Sequence, residues 1–230
     1  MFQRKVEDMT RTIGVLLTLL IGSAASLAQN SYGTDVSAMA AFPVGTYSED
    51  FKTGYGANLG FFMTSGSSTR YELTLGYMRM GLDNEGINQS AASNGQTGSY
   101  NVSGSIIAYP ILIGVKFVPA REGFKPYGIL EFGLYMYSKK FDGGTYTSPA
   151  GAVTQYSPSS SFRSEPGFNL GVGFLFPAGK DVSVDVALRY NLVKDSQYYN
   201  LTPSGGTSTY VGTNQYFTLN VGLSYAYLTQ

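Results

Sequence analysis

Residues 182–192 read Val-Ser-Val-Asp-Val-Ala-Leu-Arg-Tyr-Asn-Leu, and this alternation decides the fold. One set of alternate positions holds Val, Val, Val, Leu, Tyr and Leu, whereas the other holds Ser, Asp, Ala, Arg and Asn. A β-strand points successive side chains to opposite faces, so this segment has one apolar face and one polar, partly charged face. The charged face must be hydrated or paired, and the apolar face must lie against lipid or a protein core.

Seven other segments alternate in the same way, which predicts eight strands in all. They lie near residues 33–42, 53–63, 70–77, 102–118, 130–136, 169–176 and 217–227. The connections between the strands are alternately long (near 43–52, 82–101, 140–163 and 196–213) and short (near 64–68, 119–126 and 177–181). No segment beyond the N-terminus has convincing helical periodicity, so the long connections are predicted to be mobile loops.

Pro110 interrupts the fourth predicted strand. Proline has no backbone N–H to donate to a neighbouring strand. We therefore expect a bulge or a local gap in strand pairing at this position.

The composition excludes several kinds of chemistry. The chain has 230 residues, zero formal charge, no cysteine and no histidine. Disulfides, thiolate metal sites, cysteine nucleophiles, serine–histidine triads and histidine zinc sites are therefore unavailable. The zero charge gives no argument for nucleic-acid binding. We predict no catalytic, cofactor-binding or metal site; an enzyme acting through aspartate alone is an alternative that no residue pair supports.

The N-terminus has the pattern of a secretory signal peptide. Basic residues within positions 4–11 precede an apolar run at 13–22, which is shorter than the roughly 20 residues that span a bilayer. Ser26-Leu27-Ala28 fits a small-x-small cleavage site, which predicts a cleaved segment at 1–28 and a single domain at 29–230. A membrane anchor or a buried helix is the alternative.

The two faces of the strands differ in a way that favours a membrane barrel over a soluble one. The polar positions carry mainly Gly, Ala, Ser, Thr and Asn, which suit a narrow interior better than a solvated exterior. The apolar positions carry Tyr or Phe near the strand ends, as in the aromatic girdles of membrane barrels. The few charges on the polar face are balanced in sign and are predicted to form a network in the lumen: Asp35, Arg70, Glu72, Lys116, Glu131, Asp185 and Arg189.

Specific pairings follow if these charges are confined. The interior of an eight-stranded barrel is just wide enough for side chains to fill it, and buried charges must be paired. We expect Glu131 to pair with Lys116 across one hairpin, and Arg189 to pair with Asp185 or Glu72. The lumen would then be plugged. A solvated polar face is the alternative.

Together these patterns predict an all-β fold: an eight-stranded antiparallel up-and-down transmembrane β-barrel with short periplasmic turns and long extracellular loops. Such a protein is exported through the periplasm to the outer membrane.

Three segments resemble a known family. They are 124–133 with its Pro-Tyr…Gly entry to a strand, the glycine-rich 167–174, and 220–227 with the pattern polar-x-Gly-x-x-aromatic-x-aromatic. The chain resembles, over roughly residues 31–228, the small eight-stranded outer-membrane barrel domain of Gram-negative bacteria, of the opacity- and attachment-protein type. The resemblance implies that Asn220, Gly222, Tyr225 and Tyr227 are the barrel-assembly signal, although the tail 228–230 departs from the family's usual aromatic end.

The leading functional hypothesis is a non-enzymatic surface protein with a plugged lumen. Its outer loops, such as 198–200 and 205–210, are rich in Tyr, Ser, Gly, Thr and Asn, which suits adhesion or ligand contact as well as ordinary solvated loops. Expected partners are outer-membrane lipid and lipopolysaccharide, the barrel-assembly machinery and periplasmic chaperones during biogenesis, and a surface ligand or a host or neighbouring cell. The alternative is a narrow channel for small, hydrophobic solutes.

Overall fold

The computed structural model describes residues 30–66, 68–119, 123–195, 200–201, 207–208 and 212–229. The strands are β1 (Asn30–Pro43), β2 (Gly54–Ser65), β3 (Thr69–Gly81), β4 (Ser99–Phe117), β5 (Lys125–Thr147), β6 (Val153–Tyr156), β7 (Ser159–Pro177), β8 (Val182–Asp195), β9 (Asn200–Leu201), β10 (Thr207–Ser208) and β11 (Gly212–Thr229). Two helices are described, α1 (Tyr47–Asp50) and α2 (Asn84–Ser93). The predicted signal peptide at 1–28 and residues 198–199, 205–206 and 209–210 of the predicted outer loops lie outside the described residues.

Eight of the strands form a closed antiparallel barrel. The strands β1, β2, β3, β4, β5, β7, β8 and β11 each pair with the next in that order, and β1 pairs with β11 to close the ring. Closure leaves no strand edge that lipid would have to satisfy. The predicted eight-stranded up-and-down barrel is therefore confirmed.

The outer wall of the barrel is apolar. In β7, for example, Leu170 is 56% exposed whereas the adjacent Asn169 is 2% exposed, because alternate side chains point outward and inward. The same alternation continues to Phe176, and exposed Leu, Val, Phe and Tyr side chains occur on every strand of the ring. A soluble barrel has the reverse arrangement, so this wall is suited to lipid.

The predicted irregularity at Pro110 is a gap in pairing. Pairing between β3 and β4 stops after Leu75–Ile111 and resumes at Met78–Ala108 in the same register, so Gly76 and Tyr77 have no partner residues in β4. Pairing between β4 and β5 continues through Pro110, and its bulge lies instead between Ser103 and Gly104.

The prediction that the long connections lack helices and strands is wrong: 43–52 contains α1, 196–213 contains β9 and β10, and the other two contain larger elements. Strand β5 continues to Thr147 and pairs with β6, so much of 140–163 is a β-hairpin that extends the sheet beyond the membrane-facing wall. The connection 82–101 contains α2, whose first turn is capped by Asp83: its carboxylate accepts a hydrogen bond from the Glu85 N–H at 3.1 Å. Neither helix in the described part of the chain has the length and apolarity needed to cross a membrane.

Candidate functional site

All seven charged residues predicted for the lumen point into the barrel. Their exposed fractions range from 0% for Lys116 and Glu131 to 9% for Asp35. They occupy inward positions of β1, β3, β4, β5 and β8, where successive side chains point alternately into and out of the barrel. Strand alternation therefore accounts for their location, whereas their pairing depends on the geometry of the closed ring.

Lys116 is the centre of the first charge cluster. Its Nζ lies 3.1 Å from Glu72 Oε2, 3.0 Å from Asp185 Oδ2 and 3.7 Å from Asp35 Oδ2. Arg70 Nη2 donates to both carboxylate oxygens of Asp35 at 2.7 Å. Three carboxylates and two cations from four strands are thus joined across the lumen.

A second cluster joins Arg189 to Glu131. Arg189 Nη1 lies 2.9 Å from Glu131 Oε2, and Glu131 also accepts hydrogen bonds from Thr74 Oγ1 at 3.0 Å and Asn169 Nδ2 at 3.2 Å. The expected pairs, Glu131 with Lys116 and Arg189 with Asp185 or Glu72, are wrong. Across the hairpin the register places Glu131 opposite Gly114, and Lys116 opposite Ile129.

Inward glycines explain how long side chains fit in this narrow lumen. A Cβ added at Gly114 would lie 2.6 Å from Glu131 Cγ, and one added at Gly171 would lie 2.9 Å from Arg189 Cγ. Each charged side chain therefore lies across the space left by a glycine on a neighbouring strand. Register-matched glycines are the sequence signal that could have located these side chains.

Aromatic rings line the periplasmic end of the charge network. The Arg70 guanidinium lies 3.2 Å from the centre of the Phe62 ring, and Lys116 Nζ lies 4.6 Å from that of Tyr127. The Tyr127 hydroxyl donates to Asp185 Oδ1. Cation–π contacts of this kind stabilise buried cations and are strongest when water is excluded. The composition of the polar face did not predict them.

The extracellular half of the lumen is filled by apolar and aromatic side chains that the sequence patterns missed. Buried residues on the inward face of several strands pack in one cluster with Tyr47 of α1, namely Met39, Met78, Met80, Leu112, Tyr135, Tyr137 and Tyr216. Tyr47 is 1% exposed and its ring centre lies 4.6 Å from that of Phe51. The Tyr135 hydroxyl donates to Asn169 Oδ1 at 2.6 Å and so links this cluster to the charges.

Two small cavities lie between these groups. One cavity of about 10 Å³ adjoins Glu72 and Asp185, and another of about 20 Å³ adjoins Met78 and Tyr135. A cavity of roughly 10–15 Å³ of this kind holds about one water molecule.

The extracellular extension has a small core of its own. Tyr100 of β4, Tyr146 of β5 and Tyr156 of β6 pack together with apolar side chains of α2, and the rings of Tyr100 and Tyr146 are 4.9 Å apart. Burial beside Tyr100 raises the pKa of Tyr156 to about 12, so its hydroxyl stays neutral at physiological pH.

Helix α2 covers the edge of β4 where β3 has ended. The Asn88 side chain accepts from the Tyr100 N–H at 2.6 Å and donates to the Tyr100 carbonyl at 2.9 Å, and Asn84 Oδ1 accepts from the Val102 N–H at 2.9 Å. These asparagines take the place of a neighbouring strand, which protects an edge that would otherwise bind other chains.

The four residues predicted as the assembly signal lie together on β11. Asn220 faces the lumen and accepts from Asn58 Nδ2 at 2.9 Å, and Gly222 lies between Ser37 and Asp185 in the sheet. Tyr225 and Tyr227 point outward with ring centres 5.8 Å apart. Their role in assembly stays a prediction.

The architecture defines a class of protein: a small transmembrane β-barrel of the outer-membrane type, with an apolar outer wall and a charged lumen. No protein-family model and no curated protein sequence matches the chain. Among solved structures, it is similar to a major outer membrane protein of Thermus thermophilus, with 16% identity, a TM-score of 0.52 and coverage of 87% of this chain and 100% of the other.

It is also similar to Neisserial surface protein A, with 13% identity, a TM-score of 0.50 and coverage of 85% of this chain and 97% of the other. A third similar structure is the attachment invasion locus protein of Yersinia pestis, with 16% identity, a TM-score of 0.47 and coverage of 87% and 99%. At these identities the likeness concerns the fold, which is that of small outer-membrane barrels.

Proposed function

We propose that this protein is a non-enzymatic outer-membrane surface protein whose lumen is plugged and whose extracellular extension contacts ligands or other cells. The observation that carries the proposal is the extension itself. Strand β5 continues to Thr147 and, with β4, β6 and α2, forms a packed unit around three tyrosines. A barrel that served only to cross the membrane would not need this additional core.

The packing of the lumen supports a plug. Charged groups from β1, β3, β4, β5 and β8 meet across the interior, and the Tyr and Met cluster beneath α1 fills the space above them. The two cavities that lie among these groups, of about 10 and 20 Å³, are each too small for a continuous column of water. Opening a pore would require separating several buried ion pairs, which is costly when a partner is left uncompensated.

The chemistry of the site favours a role without catalysis. The carboxylates of the lumen are engaged with Arg70, Lys116 and Arg189, and the chain offers no histidine or cysteine as base or nucleophile. We further propose that residues 1–28 direct export, that chaperones and the assembly machinery recognise the β11 signal, and that lipopolysaccharide surrounds the extracellular rim.

Deletion of the tip of the extension tests the contact function. In one variant, residues 144–156 are replaced by a short Gly-Ser turn, and in a matched control only the exposed Val153 is changed to serine. Bacteria displaying the parent protein and the control should aggregate or attach to surfaces more than cells displaying the deletion. Equal sedimentation and attachment of all strains, at equal surface amounts of folded barrel, would contradict the proposal.

A second function, passage of small hydrophobic solutes, is favoured by one observation. The pairing gap opposite Pro110 lies beside the cavity of about 20 Å³, which Pro110 itself lines. A lateral route through the wall would open at this position.

A substitution at Pro110 separates the two functions. Pro110→Val restores a backbone N–H that could bond to β3. If the wall is closed, uptake of a small apolar dye into vesicles is equally slow for both proteins. Faster uptake with the parent than with Pro110→Val would support the lateral route.

A further inference from the structure

Arg79 is a charged residue on the lipid-facing side of the barrel. It is exposed at an outward position of β3, where the outward residues below it run through Tyr71, Leu73, Leu75 and Tyr77. Arg79 is therefore the first outward polar residue above this apolar series. A strand tilted by about 40° climbs about 2.5 Å per residue, which puts Arg79 on the order of 12 Å above the middle of the series.

That height matches the upper boundary of the membrane. The apolar band of an outer-membrane barrel is about 25 Å tall, so the boundary between acyl chains and headgroups lies about 12 Å from its middle. In the outer leaflet, the phosphorylated headgroup of lipopolysaccharide lies at the level of this boundary.

Three tyrosines lie on the same outer face as Arg79, one opposite it on β2 and two at the level of the outward position below it. Tyr55 of β2 lies directly opposite Arg79 in the sheet and is 63% exposed. Tyr77 lies one outward position below, and its ring centre is 5.8 Å from that of Tyr109 on β4. Tyrosine hydroxyls at this level can donate to sugar or phosphate oxygens while the rings remain among acyl chains.

No carboxylate in the described part of the chain neutralises the charge of Arg79. Arg79 forms no ion pair with a carboxylate of the described residues, whereas Lys140, an exposed cation farther up the extension, lies 2.7 Å from Asp142 Oδ1. A guanidinium can bind two phosphate oxygens at once, and this geometry makes arginine a specific phosphate ligand.

We propose that Arg79, with Tyr55, Tyr77 and Tyr109, forms a binding site on the outer wall for a phosphate of lipopolysaccharide lipid A. This inference rests on the proposed outer-membrane setting and identifies where the lipid is recognised. Arg79 supplies the charge-assisted contact to the phosphate. The tyrosines lie at the boundary between headgroups and acyl chains, where they can contact the lipid A sugars and the upper part of its acyl chains.

Native mass spectrometry of the folded full-length protein tests the site. The probes are lipid A with two phosphates and the same lipid A after dephosphorylation. The parent should bind the phosphorylated form about tenfold more tightly, as expected for hydrogen bonds to a charged group. Arg79→Gln should lose this preference, Arg79→Lys should keep part of it, and Lys140→Gln should leave it unchanged.

Two results would overturn the proposal: equal binding of both lipids by the parent, or an unchanged preference in Arg79→Gln. Heat-modifiable gel mobility verifies that each variant is folded. Failure of the plug or of the cell-contact role would appear in conductance or cell attachment and would not alter the lipid preference, so the two failures are distinguishable.

Discussion

At the scale of single residues, the buried ion pairs depend on partners from distant strands. Glu131 is fully buried, and Arg189, 58 residues away in sequence, supplies its cation at 2.9 Å. Burying either charge alone would be costly because water can no longer solvate it. The pair therefore acts as a single unit in stability.

Replacement of Glu131 alone should reveal this dependence. Glu131→Gln leaves Arg189 without its carboxylate, and we expect the free energy of unfolding to fall by about 3–5 kcal/mol. The double variant Glu131→Gln/Arg189→Gln should lose less than the sum of the two single variants. Urea unfolding of protein folded in lipid vesicles measures these differences, and a loss below about 1 kcal/mol for the single variant would contradict the assignment.

The carboxyl group of Asp50 is expected to make the stability of the extracellular mouth depend on pH. Burial and the nearby Glu49 raise the pKa of Asp50 from 3.8 to about 6, against the opposing effect of Lys139. Because the folded state binds the proton more tightly than the unfolded state, its stability is greatest below about pH 4 and falls as the pH rises towards 6.

Hydrogen exchange can detect this effect at α1. Protection of the amides of residues 47–51, corrected for intrinsic exchange, should decrease between pH 4 and pH 6 in the parent. The side chain of Asp50→Asn does not titrate, so the protection of these amides should stay constant over the same range. If protection in the parent varies with pH as little as in Asp50→Asn, the raised pKa of Asp50 is contradicted.

At the scale of elements, the extracellular extension depends on the tyrosine core. Tyr146 packs against Tyr100 at 4.9 Å, and its hydroxyl donates to the Thr97 carbonyl. Removing a buried aromatic side chain costs about 3–5 kcal/mol in a protein core. The membrane barrel lies below this contact, so the loss should stay local.

Tyr146→Ala should therefore loosen the extension without opening the barrel. We expect limited proteolysis to cleave within residues 144–156 at least tenfold faster, while heat-modifiable mobility is retained. Val153→Ala, at a side chain 59% exposed on the same hairpin, is the matched control and should behave as the parent. Equal cleavage of all three proteins would show that the tyrosine core does not hold the hairpin.

Strand identity could be predicted from sequence because alternation is local, as in 182–192. The pairing of Glu131 with Arg189 could not, since it depends on how tilt and register bring β5 and β8 together across a closed ring. Helix α2 was missed because tertiary contacts hold it, namely the hydrogen bonds of Asn84 and Asn88 to β4 and packing on the tyrosine core, which a weak local periodicity does not reveal. The strands of the barrel wall could thus be predicted from local sequence patterns. The pairing of charges in the lumen and the structure of the extension could not, because they depend on tertiary contacts.

At the scale of the whole molecule, the two faces of the wall have opposite requirements. Val186 pairs with Val221 and Phe174 on the outer face, whereas the adjacent Ala187 is 2% exposed inside. An unpaired charge on the outer face near mid-membrane is destabilising, because lipid cannot solvate it.

Arginine at Val186 should be costly in a bilayer. We expect Val186→Arg to lower the free energy of unfolding in vesicles by about 2–4 kcal/mol, whereas Val186→Leu should change it little. Urea titration in vesicles compares the two variants. If Val186→Arg is as stable as the parent in vesicles, the assignment of inward and outward faces is wrong.

We propose that the charged groups, the tyrosine and methionine cluster and α1 leave no continuous water path across the barrel. Single-channel recording of the folded protein in a planar bilayer examines this most directly. If the lumen is plugged, we expect a baseline without steady current steps at moderate voltage. Recovery of folded protein from the membrane verifies that the protein has inserted. Reproducible, long-lived ion-conducting steps from the parent protein would contradict the proposed plug.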